Sequence, residues 1–135
     1  MGNAKALKRP AVVAGFTPVV KKTAAYTVKN SDAGSLFKWN SATAFVFSLP
    51  PVKKTAAGVY FDFSIETAAT SGTGHGVSPD SNDKVFGVAG ATPTDNKDVY
   101  FATAGDAIGN GFRLISDGVD GWHVVALDGT LSQEA

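Results

Sequence analysis

The side chains that could support catalysis are few and poorly spaced for it. The chain of 135 residues has two histidines, His75 and His123, and no cysteine. Serine, histidine and aspartate all occur, but there is no nucleophile elbow, and His123 alternates with Trp122 on a predicted strand. Asp62 and Glu66 share one face of another predicted strand at a separation of about 13 Å, which is beyond the distance that glycoside hydrolysis uses. The sequence therefore predicts no enzyme and no catalytic residues.

Two short motifs resemble ligand sites without completing them. The loop Ser71-Gly-Thr-Gly-His-Gly76 resembles a phosphate-binding loop, but the Lys-Ser/Thr pair and the helix of such a loop do not follow it. The segment Asp117-Gly-Val-Asp-Gly121 lacks the other acidic ligands of a calcium loop, and Asp-Gly is also a hairpin signal. We expect loops between strands at both places, and the same for Asp95, Asn96 and Asp98. Because cysteine is absent, disulfides and thiolate metal sites are excluded, and we predict no metal and no cofactor.

The formal net charge of zero conceals an uneven distribution. Residues 1–54 contain nine basic residues and one acidic residue, whereas residues 55–135 contain three basic and eleven acidic residues. Either the fold pairs the two halves internally, or the basic half reaches an acidic partner surface or a neighbouring subunit. Nucleic acid is not the expected partner, because no aromatic residues alternate with the lysines and the sequence pI is about 6.7. The candidate residues for contact with an acidic protein partner are Lys5, Lys8, Arg9, Lys21 and Lys22.

Short runs of β-prone residues, separated by turn residues, dominate the chain from residue 25 onward. In residues 58–66, for example, apolar and polar residues alternate, so one face of that strand is expected in the core. This spacing predicts an all-β body over residues 25–130, as a small antiparallel sandwich or barrel that is jelly-roll-like. Residues 1–24 are predicted to form an extended basic N-terminal arm, and residues 131–135 a C-terminal tail. No run approaches the roughly 20 apolar residues of a membrane span, so we predict no membrane contact.

One internal repeat is present. The six residues Val20-Lys-Lys-Thr-Ala-Ala25 recur as Val52-Lys-Lys-Thr-Ala-Ala57. Two copies are too few for a solenoid. We interpret both as basic linkers that lead into strands beginning at Tyr26 and Val59.

Three blocks of the sequence resemble the small head-decoration, or capsid-stabilising, proteins of tailed bacteriophages. The first block begins at Tyr26 and ends in Ala-Gly-Ser-Leu-Phe37, and the second is Ala44-Phe-Val-Phe-Ser-Leu-Pro-Pro51. The third is the ending Gly111-Phe-Arg-Leu-Ile-Ser-Asp-Gly118, followed by Gly121-Trp-His-Val-Val-Ala-Leu-Asp. Phage tail-fibre and receptor-binding tips share this short-strand composition rich in alanine, glycine and threonine.

The resemblance implies a non-enzymatic structural protein of the virion. Such a protein is made in the host cytoplasm and then binds the major capsid protein on the outer surface of the capsid, as a homo-trimer that stabilises the lattice. Trp39, Tyr60 and His123 would then lie at subunit contacts. The alternative is a receptor- or glycan-binding module of a tail fibre that uses loops 70–83 and 90–98, or another structural subunit of the virion.

Overall fold

The protein is built from short strands in two sheets, with hardly any helix. The computed structural model describes residues 16–70, 73–103 and 107–135. Apart from the strands, these residues form two short 3₁₀ turns, Asn30–Asp32 and Val52–Lys54. The strands are β1 (Val19–Lys22), β2 (Tyr26–Thr27), β3 (Leu36–Asn40), β4 (Val46–Ser48), β5 (Tyr60–Thr67), β6 (Gly76–Ser78), β7 (Lys84–Phe86), β8 (Val99–Phe101), β9 (Gly111–Ser116), β10 (Gly121–Asp128) and β11 (Leu131–Gln133).

The chain passes from one sheet to the other at almost every connection. The six-stranded sheet has the order β1-β3-β5-β9-β10-β7, and the five-stranded sheet has the order β11-β8-β6-β4-β2. Consecutive strands alternate between the sheets, and in the first half of the chain each return to the same sheet runs in the same direction, so β1, β3 and β5 are parallel neighbours. The strands β2, β4 and β6 are likewise parallel in the other sheet.

The predicted all-β class is confirmed, but the predicted antiparallel arrangement is wrong. Five of the nine strand pairs formed by the described residues are parallel. A jelly roll is an antiparallel architecture, so the predicted topology does not describe these mixed sheets. Most of the short connections join the two sheets and do not form hairpins. The predicted hairpin between β9 and β10 is present, with Trp122 opposite Ser116.

Aromatic side chains from both sheets fill the space between them. The ring centroids of Trp39 on β3 and Phe47 on β4 are 5.4 Å apart, and those of Trp39 and Phe101 on β8 are 5.6 Å apart. Trp39 is 0% exposed, and its indole N–H donates to the Gly76 carbonyl at 3.2 Å. The prediction that Trp39 lies at a subunit contact is therefore wrong. The ring is in the core because burial of so large an apolar side chain stabilises the fold by about 1.5–3 kcal/mol.

Both ends of the predicted body need correction. Val19–Lys22 is the edge strand β1, paired with β3, and belongs to the sheet rather than to a separate arm. Val20 packs against the core, which explains why this segment joins the sheet. Leu131–Gln133, which we expected in a tail, forms β11 with β8, and Leu131 is only 5% exposed. No helix in the described ranges is long and apolar enough to cross a membrane.

The two copies of the repeat have different conformations. In the first copy, Val20–Lys22 lies in β1, whereas in the second copy Val52–Lys54 forms a 3₁₀ turn. The second copy follows Pro51, whose φ of −61° suits the start of a turn, and the Val52 N–H donates to the buried Asp83 carboxylate at 2.9 Å. Identical residues thus fold differently because their hydrogen-bond partners differ.

Candidate functional site: a basic cluster and a neighbouring cavity

Several charged side chains on the outer face of the six-stranded sheet form ion pairs with one another. Asp62 on β5 lies directly opposite Arg113 on β9, and its carboxylate accepts two hydrogen bonds from the guanidinium, at 2.7 and 3.1 Å. The hydrogen bond to Asp62 raises the pKa of Arg113. The guanidinium carbon also lies 4.1 Å from the centroid of the Tyr60 ring. Tyr60, a predicted contact residue, is therefore half-buried, with one ring face covered.

A second carboxylate on β5 pairs with two lysines. Glu66 accepts from Lys38 at 3.0 Å and from Lys21 at 3.2 Å. The hydrogen bond from Lys38, followed by that from Lys21, lowers the pKa of Glu66. Lys21, predicted to contact a partner, is thus engaged within the protein. Asp62 and Glu66 each have a cationic partner, so neither is a free carboxylate.

The predicted hairpin loop at 117–121 is organised by one carboxylate. Asp117 accepts hydrogen bonds from the backbone N–H groups of Val119 and Asp120, both at 2.8 Å, and from that of Gly121 at 3.1 Å. Its other oxygen lies 2.9 Å from Nε2 of His123. Burial is the largest single influence and acts to raise the pKa of Asp117, but the four hydrogen bonds together outweigh it and hold that pKa well below its ordinary value.

His123, a predicted contact residue, lies on the outer face of the sheet and is held from two sides. Besides its contact with Asp117, its ring stacks on Phe86 with a centroid separation of 4.6 Å and an interplanar angle of 12°. Close by, Lys84 pairs with Asp95 at 2.9 Å and with Asp120 at 3.0 Å, and these hydrogen bonds raise its pKa. In the part of the chain that the structure describes, no group of three or more candidate ligands is placed to hold a metal ion.

The other histidine is a buried structural residue. His75 is 1% exposed, and its Nδ1 accepts a hydrogen bond from the Phe45 N–H at 3.2 Å. Since Nδ1 is the acceptor, Nε2 carries the proton and donates to the Thr67 carbonyl at 3.0 Å. The ring also stacks parallel to Trp39. His75 belongs to the glycine-rich segment that resembles a phosphate-binding loop. Its two hydrogen bonds connect the end of β5 to the residue before β4.

Three lysines at the two 3₁₀ turns differ from the cations of the sheet in having no ion-pair partner among the described residues. Lys29, Lys53 and Lys54 are exposed, and none of them takes part in an ion pair among the described residues. Asn30 joins the two turns, because its amide donates to the Lys54 carbonyl and its amide oxygen accepts from Thr55, both at 2.9 Å. We call Lys29, Lys53 and Lys54 the basic cluster.

Asp32, the only acidic residue within residues 1–54, forms no ion pair with this cluster among the described residues. Asp32 ends the first turn, and its carboxylate accepts from the Lys29 backbone N–H at 2.9 Å and from the Tyr26 hydroxyl at 3.2 Å. The Nζ of Lys22, a predicted contact residue, lies 4.1 Å from the centroid of the Tyr26 ring. The two 3₁₀ turns therefore carry three lysines without an ion-pair partner in the described structure and one carboxylate, so positive charge predominates there.

A cavity of about 360 Å³ lies beside the basic cluster. Each 3₁₀ turn leads within a few residues into one of its walls, Ala33–Gly34 and Ala57–Gly58. Gly58 has a φ of +92°, which favours glycine at this bend. Phe16 forms another wall and is 75% exposed. The full lining is Phe16, Thr17, Pro18, Ala33, Gly34, Ala57, Gly58, Val59 and Tyr60.

The structure separates the candidate residues into three groups. Lys5, Lys8 and Arg9 lie outside the described residues. Lys21, Lys22, Tyr60 and His123 form the second group, since each contacts another side chain of the protein. Trp39 alone forms the third group and lies in the core. The sequence interpretation did not select Lys29, Lys53 and Lys54, although two of them belong to the second copy of the repeat and all three contribute to the basic half of the chain.

Comparison of the chain with protein-family models, with curated proteins and with solved structures finds no match. The proposed function therefore rests on the charges, contacts and burial of the described residues.

Proposed function

We propose that the protein is a structural virion protein that decorates an icosahedral phage capsid and stabilises it by binding the lattice of the major capsid protein. The observation that carries the proposal is the basic cluster, whose three exposed lysines have no carboxylate partner among the described residues. The sequence blocks that resemble decoration proteins name the kind of partner. In this proposal the protein is non-enzymatic and binds the outer capsid surface as a homo-trimer.

Unpaired surface cations suit attachment to a large acidic surface. Exposed charges of one sign raise the rate of encounter with an oppositely charged partner and orient the approach. Paired charges contribute less, because their fields cancel at short range. The basic cluster is therefore the part of the described surface best suited to an acidic lattice.

The sequence before the described residues is also basic. Lys5, Lys8 and Arg9 precede Phe16, which is itself a wall of the cavity beside the cluster. In the proposal, these three residues and the basic cluster contact the same acidic surface. Tyr60 and His123 remain proposed subunit contacts on the outer face of the six-stranded sheet.

The test is attachment to purified expanded shells that lack the protein. One variant removes residues 1–15, which leaves strand β1 intact, and a second carries Lys29→Glu, Lys53→Glu and Lys54→Glu. We expect fewer copies per shell for both variants, measured by quantitative gel analysis of sedimented shells. Lys97→Glu is the control for a charge reversal elsewhere, because Lys97 is partly exposed and donates to the Ala135 carbonyl at the C-terminal end of the chain. Full occupancy by both variants would contradict the proposal.

The alternative function, glycan binding at a tail-fibre tip, has one observation in its favour. Tyr100 lies on the outer face of the five-stranded sheet, between Gly76 and Ser132 on the neighbouring strands. An aromatic ring flanked by a glycine and a hydroxyl group is a suitable platform for a sugar. Binding to a glycan array that Tyr100→Ala removes would favour this function over capsid decoration.

A further inference from the structure

We propose that the basic cluster and the adjoining cavity together form a docking site for an extended, acidic polypeptide segment of the partner. The carboxylates of this segment contact Lys29, Lys53 and Lys54, and one of its apolar side chains enters the cavity. The inference rests on the proposed function, since it names the kind of partner segment that the same end of the molecule binds.

The shape and lining of the cavity indicate an apolar anchor. Its volume of about 360 Å³ is at the lower end of the range for ligand pockets, which suits one or two side chains rather than a large cofactor. Phe16, Pro18, Val59 and Tyr60 contribute apolar wall to this half-open cavity, and polar atoms make up the rest of its lining. An apolar contact surrounded by polar and charged groups is the usual arrangement of a protein interface.

The positive charge of the basic cluster, which precedes two of the cavity walls along the chain, indicates carboxylates in the partner. The three lysines are exposed, so pairing them with a partner removes little hydration, and each pair alone contributes little affinity. Three such pairs around one anchor give both affinity and orientation. The carboxylate of Asp32, in the first 3₁₀ turn, already accepts two hydrogen bonds within the protein.

The same features favour a polypeptide over a nucleic acid. Binding of a single strand requires several open aromatic rings for successive bases. At this site Phe16 is open, but the Tyr60 ring carries the Arg113 guanidinium on one face. The cluster also contains no arginine, the residue best suited to bidentate contact with phosphate.

The probe for this site is a fluorescein-labelled ten-residue peptide in which glutamates alternate with leucine and proline. Its binding to the full chain is measured by fluorescence anisotropy at low ionic strength. We expect Lys53→Glu with Lys54→Glu to weaken binding at least about tenfold, and Lys97→Glu to change it less than about twofold.

The anchor is tested separately from the charges. We expect Phe16→Ala to weaken binding of the peptide about threefold to fivefold, while Ile108→Ala has little effect. Phe16 is 75% exposed and Ile108 is 71% exposed, so neither substitution removes a core residue. Both should leave the salt dependence of binding unchanged, because neither alters a charge.

Four results would overturn the inference. The first is that the peptide does not bind at low salt, and the second is that the Lys97 variant loses as much affinity for the peptide as the Lys53/Lys54 variant. The third is that a single-stranded DNA of the same charge binds more tightly than the peptide. The fourth is that a second copy of the chain occupies the site, seen as self-association that the peptide does not displace. If shells bind the protein but the peptide does not, the inference alone fails. If the peptide binds as expected and shells do not, the proposed function fails.

Discussion

The cations on the outer face of the six-stranded sheet and those on the two 3₁₀ turns differ in what surrounds them. On the sheet, Lys21, Lys38 and Arg113 each contact a carboxylate that the strand register places nearby. On the turns, the basic cluster has no such contact in the described parts of the chain. Strand register fixes the partner of each of these sheet cations, whereas the lysines of the turns have no internal partner in the described residues and, in our proposal, pair with another molecule. Substitutions should therefore affect stability in the first region and binding in the second.

The largest effect on stability is expected at Asp117, in the loop that joins two strands of the sheet. Asp117→Ala leaves three backbone N–H groups and His123 without their acceptor. We expect the free energy of unfolding to fall by about 2–3 kcal/mol, since hydrogen bonds to a charged group are the strong ones. Urea denaturation measures it, with Asp117→Asn as the control that retains one acceptor oxygen. A loss below about 0.5 kcal/mol would show that the loop does not depend on this carboxylate.

The same residue gives the paired region a dependence on pH. The folded-state pKa of Asp117 is lowered from the ordinary value of 3.8, so the unfolded chain binds the proton more tightly. The stabilisation is therefore fully present above about pH 5 and is lost as the pH falls through and below 3.8. Asp83 acts in the opposite sense, because burial raises its pKa and acidification relieves the cost of its buried charge.

Thermal unfolding between pH 2.5 and pH 6 tests this balance. The wild-type protein should lose stability at the acidic end, and Asp117→Asn should lose less over the same range. An equally steep decline in the variant would assign the acid sensitivity to other carboxylates.

A smaller effect is expected at Arg113. Arg113→Ala removes the two hydrogen bonds to Asp62 and the contact with the Tyr60 ring. Because the arginine side chain is 40% exposed, solvent screens the pair, and we expect a loss of about 1 kcal/mol. Arg113→Lys keeps the charge but not the planar contact, so it should recover only part of that loss in the same urea measurement.

The smallest effect on stability is expected for the basic cluster itself. Lys53→Ala with Lys54→Ala removes two exposed side chains that have no ion-pair partner in the described structure. We expect the free energy of unfolding to change by less than about 0.5 kcal/mol. A loss as large as that for Arg113→Ala would remove the distinction between the two regions.

Some features of the fold could be predicted from the sequence because they depend on local patterns. The alternation over residues 58–66 places Phe61, Phe63 and Ile65 in the core, and the Asp-Gly turn joins β9 to β10. The parallel pairing could not be predicted in this way, because alternation shows that a strand has a buried face but not which sheet it joins. The edge strand β1 is stabilised by its pairing with β3, a contact that no pattern within residues 19–22 indicates.

The site was harder to predict than the strands. The charge count identified the basic half of the chain, but it did not distinguish Lys21, which contacts Glu66, from Lys53, which has no such contact among the described residues. That distinction depends on strand register and on the turn that Asp83 supports. It requires the three-dimensional arrangement.

The most direct test of the account compares attachment to shells as the salt concentration rises. The measurement is the number of copies per expanded shell, for the wild-type protein and for the variant with Lys29→Glu, Lys53→Glu and Lys54→Glu. We predict that wild-type occupancy falls steeply as salt rises, because exposed pairs are screened beyond about 10 Å at 0.1 M salt, and that the variant binds weakly even at low salt. Occupancy that is indifferent to salt and equal for the two proteins would contradict the claim that unpaired lysines attach this protein to an acidic partner.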